Sequence, residues 1–265
     1  TVVDSSAGPS FFYDVAWSGS AFVAVGQGGL VAVSPDGSGW DVVPTFVNST
    51  LYGITWDGSR FVAVGNGLIL TIEDAVYNEG DTIRSEQVIA TPEVVLYDID
   101  YNGSFYAAVG QNGTVLVSSD DTTWESTLEG TNSYFFDIAW SGTRFVVVGE
   151  NGLLLASPDA QEWSIAASGK DDLRGLLWDG SQFIAVGVAG GIVTSADGLS
   201  WEDRPSGPNQ ILRAVAYGDS LYVAVGDEGT AFRSTDGDIW TAWPTGVTAN
   251  LFGVASDDAQ FVAVG

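Results

Sequence analysis

The stretch FVAVG at residues 22–26 returns six more times, as FVAVG 61–65, YAAVG 106–110, FVVVG 145–149, FIAVG 183–187, YVAVG 222–226 and FVAVG 261–265. Between the closing glycines Gly26, Gly65, Gly110, Gly149, Gly187, Gly226 and Gly265 the spacings are 39, 45, 39, 38, 39 and 39 residues. A period near 40 built of short apolar runs and glycine-rich turns is the signature of radially repeated four-stranded sheets. Helical solenoids of similar period need a 3.6-residue apolar pattern, and none is present. Reading outward from FVVVG, FFDIAW 135–140 is a first strand, the loop Glu150 to Gly152 leads to a third strand LLLAS 153–157, and a fourth begins at Trp163. The first strands end at Trp17, Trp56, Tyr101, Trp140, Trp178 and Tyr217, where an aromatic side chain is expected to pack between neighbouring sheets, with Ser256 in the last unit. The fold expected is all-β: a seven-bladed β-propeller of four-stranded antiparallel blades, closed by the N- and C-terminal segments. It forms one domain over 1–265, with units at about 11–50, 51–95, 96–134, 135–172, 173–211, 212–250, and 251–265 plus 1–10.

Between third and fourth strands the chain repeats a carboxylate turn: SPDGSGW 34–40, SSDDTTW 118–124, SPDAQEW 157–163, SADGLSW 195–201 and STDGDIW 234–240. Asp and Gly favour tight turns, because Asp bonds its own backbone and Gly accepts positive φ. Asp36, Asp120, Asp159, Asp197 and Asp236 are expected to accept turn N–H groups. Ser34, Ser118, Ser157, Ser195 and Ser234 help hold each hairpin, and Trp40, Trp124, Trp163, Trp201 and Trp240 cover it. One carboxylate per turn falls short of the 6–8 oxygens that Ca²⁺ prefers, so a structural role is expected and no metal or other cofactor.

The S-x-D-x-G-x-x-W spacing resembles the Asp-box, or bacterial neuraminidase repeat, and the unit is similar to β-propellers of bacterial and archaeal cell-surface proteins. The resemblance covers nearly the whole chain and implies the propeller fold, with the box as a structural hairpin. Sialidases that carry this box add an arginine triad, a Tyr–Glu nucleophile pair, an Asp acid/base and a Phe-Arg-Ile-Pro motif. None of the seven arginines lies in such a motif: Arg60 and Arg144 share one repeat position, and Arg174 and Arg213 share another.

Composition narrows the chemistry. There are 34 acidic and 8 basic residues, a formal charge of −26, with Lys170 the one lysine and no Cys, Met or His. Such a surface repels nucleic acid and anionic membranes. A cysteine nucleophile, a His-based triad, a disulfide and the usual zinc sites are excluded. No apolar run reaches the roughly 20 residues of a membrane-spanning helix, and no glycine-rich phosphate loop opens a helix. The chain begins at Thr1 and its last unit stops after two strands, so a processed chain or part of a longer one is expected. TVVDSS, at 1–6, matches the place of a fourth strand and is expected to close the ring.

The second unit lacks the Asp turn. Runs Leu68 to Val76 and Thr82 to Ile89 flank YNEGD, which reads as a longer hairpin in the insertion 66–95, either drift or a docking element. Ligands of such discs usually sit on the face carrying the loops before the first strands. The second residue of each first strand is read as Phe12, Tyr52, Tyr97, Phe136, Arg174, Arg213 and Phe252, and the adjacent loops add Gln27, Gln111, Glu150 and Asp227. Aromatic rings beside arginines stack on and hydrogen-bond a sugar or a partner loop. Tyr52, Tyr97, Arg174, Arg213, Gln111, Glu150 and Asp227 therefore form the candidate binding face. Asn48, Asn102 and Asn112 open Asn-x-Ser/Thr triplets, candidate glycosylation sites. The expected function is a non-catalytic extracellular or cell-surface scaffold, binding a protein, a glycan or neighbouring subunits. A glycan hydrolase of sialidase-like architecture is the alternative, with Glu150, Asp171 and Asp227 the acids to inspect; an assembly-factor propeller is another, though the basic face such proteins use is missing.

A charge of −26 also sets an expected response to salt. Self-repulsion is screened as the Debye length shrinks to roughly 3 Å near 1 M salt. The melting temperature should rise through a NaCl series; a flat or falling series would contradict this.

Overall fold

The structure is a computed structural model, and it describes residues 2–3, 11–73, 85–128, 131–167, 169, 171–204 and 209–265. Every described regular element is a strand or a single 3₁₀ turn. The inner strands Phe12–Trp17, Leu51–Trp56, the end of Ser85–Tyr101, Phe135–Trp140, Leu173–Trp178, Leu212–Gly218 and Gly253–Ser256 pack in that order around a central channel, and the last returns to the first.

The VAVG runs are apolar on consecutive residues because each second strand is buried on both faces. Val23 and Val25 pack toward the second unit, and Phe22 and Ala24 pack toward the last. One apolar cluster of this kind fills each junction between successive units. The aromatic residue ending the first strand leans on the residue opening the second, as in Trp17–Phe22 at 4.4 Å and Trp178–Phe183 at 4.6 Å, and joins the same junction.

The closing glycine has a steric reason. A Cβ on Gly187 would drive into the carbonyl oxygen of Asp172 and crowd Leu173 Cα, and the same collision recurs at Gly26 with Phe11 and at Gly226 with Ile211. Only hydrogen lets the second strand pass so close to the entry of the first. At that crossing the ladder slips: Leu173 pairs with Gly187 but Gly175 with Val186, leaving Arg174 bulged, and the same shift occurs between Phe12 and Asp14. Such a bulge re-aims the extra side chain.

A seven-bladed ring of four-stranded blades was expected; among the described residues five units carry all four strands: 12–43, 96–128, 135–167, 173–204 and 212–242. The second unit shares a six-stranded sheet with the third. Arg60–Glu73 pairs antiparallel with Ser85–Tyr101 (Leu70↔Val88), and the latter continues into the next unit as its inner strand. The second strand runs on into the third across Asn66 and Gly67, and the fourth runs on into the inner strand of the next unit. The insertion is thus the outer strand pair of its unit, and YNEGD lies outside the described residues. Among the described residues the last unit is a three-stranded sheet in which Val2–Val3 pairs parallel with Phe261–Val264. The N-terminal strand was expected in the outer, antiparallel place; instead it covers the edge that the last second strand would leave open.

The Asp turns divide their work between two side chains. Ser195 is 4% exposed; its Oγ accepts from Gly198 N at 2.8 Å and donates to Asp197 Oδ1 at 3.1 Å. Asp197, exposed, accepts from Leu199 N and Ser200 N, both at 2.8 Å. The tryptophan caps the turn from beneath, Trp240 Nε1 donating to Gly237 O at 2.9 Å. Units are also tied to one another by polar contacts. The Asp57 carboxylate receives the Tyr106 hydroxyl of the next unit, Asp179 receives that of Tyr222, and Arg60 reaches Asp121 at 3.0 Å.

Two substitutions test this construction. Gly187→Ala should cost about 1–3 kcal/mol or more by forcing strands apart. Ser195→Ala should cost about 1–3 kcal/mol by orphaning a buried N–H. Gly39→Ala, at a site with open space around it, should be near neutral. Urea unfolding of the three variants checks the order, which a costly Gly39→Ala beside a silent Gly187→Ala would overturn.

Candidate functional site

Turns after the second strands return to the entries of the first strands: Gln27 N donates to Phe11 O, Glu150 N to Tyr134 O and Asp227 N to Ile211 O. One face of the disc therefore carries both sets of loops, as the sequence suggested. At its centre the bulged residues form a belt around the channel mouth. Phe252 lies 5.2 Å from Tyr13, Tyr13 5.1 Å from Tyr52, Tyr52 5.5 Å from Tyr97 and Tyr97 5.8 Å from Phe136, between ring centroids. Arg174 sits 4.2 Å over the Phe136 ring and Arg213 5.0 Å over Phe252. Such guanidinium–ring contacts are attractive through the ring quadrupole.

The belt corrects one assignment. Phe12 pairs opposite Gly26 and is buried in the core, while Tyr13, one residue on, is the bulged residue at the mouth. The other six positions, Tyr52, Tyr97, Phe136, Arg174, Arg213 and Phe252, are as expected. Gln111 supports the belt by donating from Nε2 to the Tyr97 hydroxyl at 3.1 Å. Asp227 holds Arg213 through both nitrogens, the Nη2 contact being 3.1 Å. In the fifth unit Val188 occupies the place of Asp227, and Arg174 pairs with Asp172 at 2.8 Å instead. Glu150 stands on the rim, where Oε2 accepts from Tyr134 N at 3.4 Å. Phe11, 47% exposed, and Tyr134, 36% exposed, rise above the belt. The loop ends Glu129, Lys170 and Pro208 lie outside the described residues. Asn48 and Asn112 are exposed; Asn102 is half-buried, its Oδ1 accepting from Ser104 N and Phe105 N.

Below the belt, sequence reasoning missed a set of carboxylates. Two positions after the core residue that opens an inner strand stand Asp14, Gly53, Asp98, Asp137, Gly175, Ala214 and Gly253, of which Asp14, Asp98, Asp137 and Ala214 line the channel. The available signal was an aspartate at one repeat position otherwise held by Gly or Ala. Each bridges to the next unit: Asp14 Oδ2 accepts from Ile54 N at 2.9 Å, Asp98 Oδ2 from Ile138 N at 3.0 Å and Asp137 Oδ2 from Leu176 N at 2.7 Å. One turn deeper, Asp100 accepts from Trp140 N at 2.7 Å. Enclosure by the channel wall disfavours their charged forms. It pushes Asp14 up to about 8, with the Asp98 charge adding to the rise, and Asp100 up to about 6. Asp98 is raised by the same enclosure and by the neighbouring Asp137 carboxyl, and Asp137 is itself raised by enclosure. No group of three or more acids among the described residues has metal-ligating geometry.

No family model matches the chain, and no curated protein does. Solved structures do. The WD40 β-propeller domain of Doa1 superposes with a TM-score of 0.76 at 13% identity, covering 97% of this chain and 90% of that one. The β-propeller domain of Cps50 (Swd1) from Myceliophteria thermophila gives 0.72 at 11% identity, covering 97% and 93%. The chain is a β-propeller. At these identities the likeness is one of fold, and the propeller's belt and channel acids are read from its own residues.

The channel acids set a pH response. A carboxyl whose folded pKa lies above its unfolded value stabilises the fold fully below the unfolded value and loses that contribution as pH rises through the folded one. With Asp14 moved from 3.8 to about 8 and Asp100 to about 6, the loss falls between these limits. The turn acid Asp120, held near 2 by Thr123 N and Thr122 N, acts oppositely and only in strong acid. The melting temperature should therefore drop from mildly acidic to mildly alkaline buffer, and Asp14→Asn should flatten the drop. An Asp14→Asn profile parallel to the parent's would contradict the assignment.

Proposed function

We propose that the propeller is a non-catalytic scaffold that docks a protein partner on the belt face. The observation that carries this is the continuous chain of contacts from Arg213 through Phe252, Tyr13, Tyr52, Tyr97 and Phe136 to Arg174, half-buried at an open mouth. Tyrosine and arginine supply the largest contact energies at interfaces when neighbours already hold them rigid. Gln111, Asp172 and Asp227 do so here. The raised carboxyls of the channel are what a hydrolase's general acid needs, yet each is spent on a backbone N–H of the next unit. A structural tie is the simpler use of them.

We also take the ring as seven-bladed, the last blade completed by the N-terminal segment. Supporting this are the seven inner strands in continuous succession and the pairing of Val2–Val3 with Phe261–Val264. Removing residues 1–10 should lower the melting temperature. Placement at the cell exterior is supported by the charge of −26 and by the exposed Asn48 and Asn112 triplets; glycan mass on protein from its native source would test it.

A displayed loop library selected on the protein tests the docking face. Binders should lose about tenfold or more in affinity with Tyr52→Ala or Tyr97→Ala. They should be unmoved by Val42→Ala or Ile165→Ala on the exposed outer strands. Binders insensitive to both belt variants would overturn the proposal.

A further inference from the structure

Resting on that docking face, we propose that the channel mouth receives an arginine or lysine side chain from a basic segment of the partner protein, its cationic head held against the rings of Tyr13, Tyr52 and Tyr97. The belt already contains this chemistry twice. Phe136 carries the guanidinium of Arg174, and Phe252 carries that of Arg213. The three tyrosines between them carry no cation among the described residues. Their rings are tilted to one another by 47° and 66°, so no ring is covered face to face by its neighbour.

Charge decides against the opposite occupant. An anionic ligand would need free arginines, and both are taken: Arg174 by Asp172 at 2.8 Å, Arg213 by the Asp227 carboxylate. Around them the rim adds Glu150 and the exposed Asp171 and Glu228. Underneath, Asp14, Asp98 and Asp137 face the channel with backbone N–H partners and no ion pair to any described cation. A guanidinium or ammonium in the mouth meets aromatic walls at its sides and the acidic rim around it, and a partner's basic segment meets a molecule of charge −26. Steering by that field speeds encounter, while the rings supply the selectivity for a desolvated cation.

The probe is the capped peptide Gly-Gly-Arg-Gly-Gly, compared with its lysine, citrulline and glutamate forms by calorimetry at low salt. The arginine and lysine peptides should bind. Citrulline, which keeps the shape of arginine without its charge, should bind about tenfold more weakly, and glutamate not at all. Tyr52→Leu and Tyr97→Leu keep apolar bulk and should remove the preference for arginine over citrulline, with melting curves confirming the fold. Citrulline binding as well as arginine overturns the proposal, and needs no variant to be seen. So does arginine binding that ignores both tyrosine variants, since that is general attraction to an acidic surface. Library binders that need the belt but carry no basic residue overturn the cation and leave the docking face standing; belt-insensitive binders overturn both.

Discussion

The closing glycine of each VAVG run is the contact on which the rest depends. Because Gly187 has no Cβ, the carbonyl of Asp172 can lie against it, and the same holds at Gly26, Gly65, Gly110 and Gly226. That approach brings the entry of each inner strand across the end of its neighbour, and the ladder there accommodates one extra residue. The bulged side chain leaves the plane of the sheet and turns to the channel mouth. Belt, channel lining and disc face all follow from one missing methyl group repeated around the ring.

Cohesion between units is mostly apolar, with second strands buried on both faces, but the polar ties are not spread evenly. Tyrosine opens the second strand in the third and sixth units, where the preceding first turn offers Asp57 or Asp179; the fourth and fifth units, preceded by Asn102 and Ser141, open with Phe145 and Phe183. The channel aspartates behave similarly. Asp98 stands beside Gly53, whose hydrogen is all that fits against Asp98 Cα, and Asp14 stands beside Gly253 in the same way. Asp14 and Asp98 thus each have a glycine in the unit before and an N–H in the unit after, whereas Asp137, which follows Asp98, has only the N–H of Leu176. Such matched pairs help fix which unit neighbours which, a constraint that uniform valine packing alone does not supply.

The channel combines two demands that pull against each other. Ties through Asp14, Asp98 and Asp137 hold adjacent inner strands, yet enclosing three carboxyls in one channel raises their proton affinity and weakens the fold as they ionise. The belt above remains stiff because its arginines are neutralised in place, Arg213 by Asp227 and Arg174 by Asp172. A rigid aromatic mouth over a carboxyl-lined channel is a surface that loses little entropy on binding.

What the sequence determined by itself is everything local to one repeat: the period, the strand ends from Phe135 to Trp140, the Asp turns with Ser195 and Asp197, and the candidate belt residues Tyr52, Tyr97, Arg174 and Arg213. These depend on neighbours a few residues apart, so forty residues of pattern carry them. Tertiary structure decided what depends on register and on other units. Phe12 and Tyr13 are adjacent aromatics, and only the bulge opposite Gly26 tells which one enters the core, because a one-residue slip exchanges the faces of a strand. The Asp98–Asp137 pair joins residues 39 apart on neighbouring inner strands, and no local pattern announces that two such carboxyls meet in the channel. The merged second and third units and the parallel strand Val2–Val3 were likewise beyond the repeat, since both are set by which edge lies open after the ring has formed.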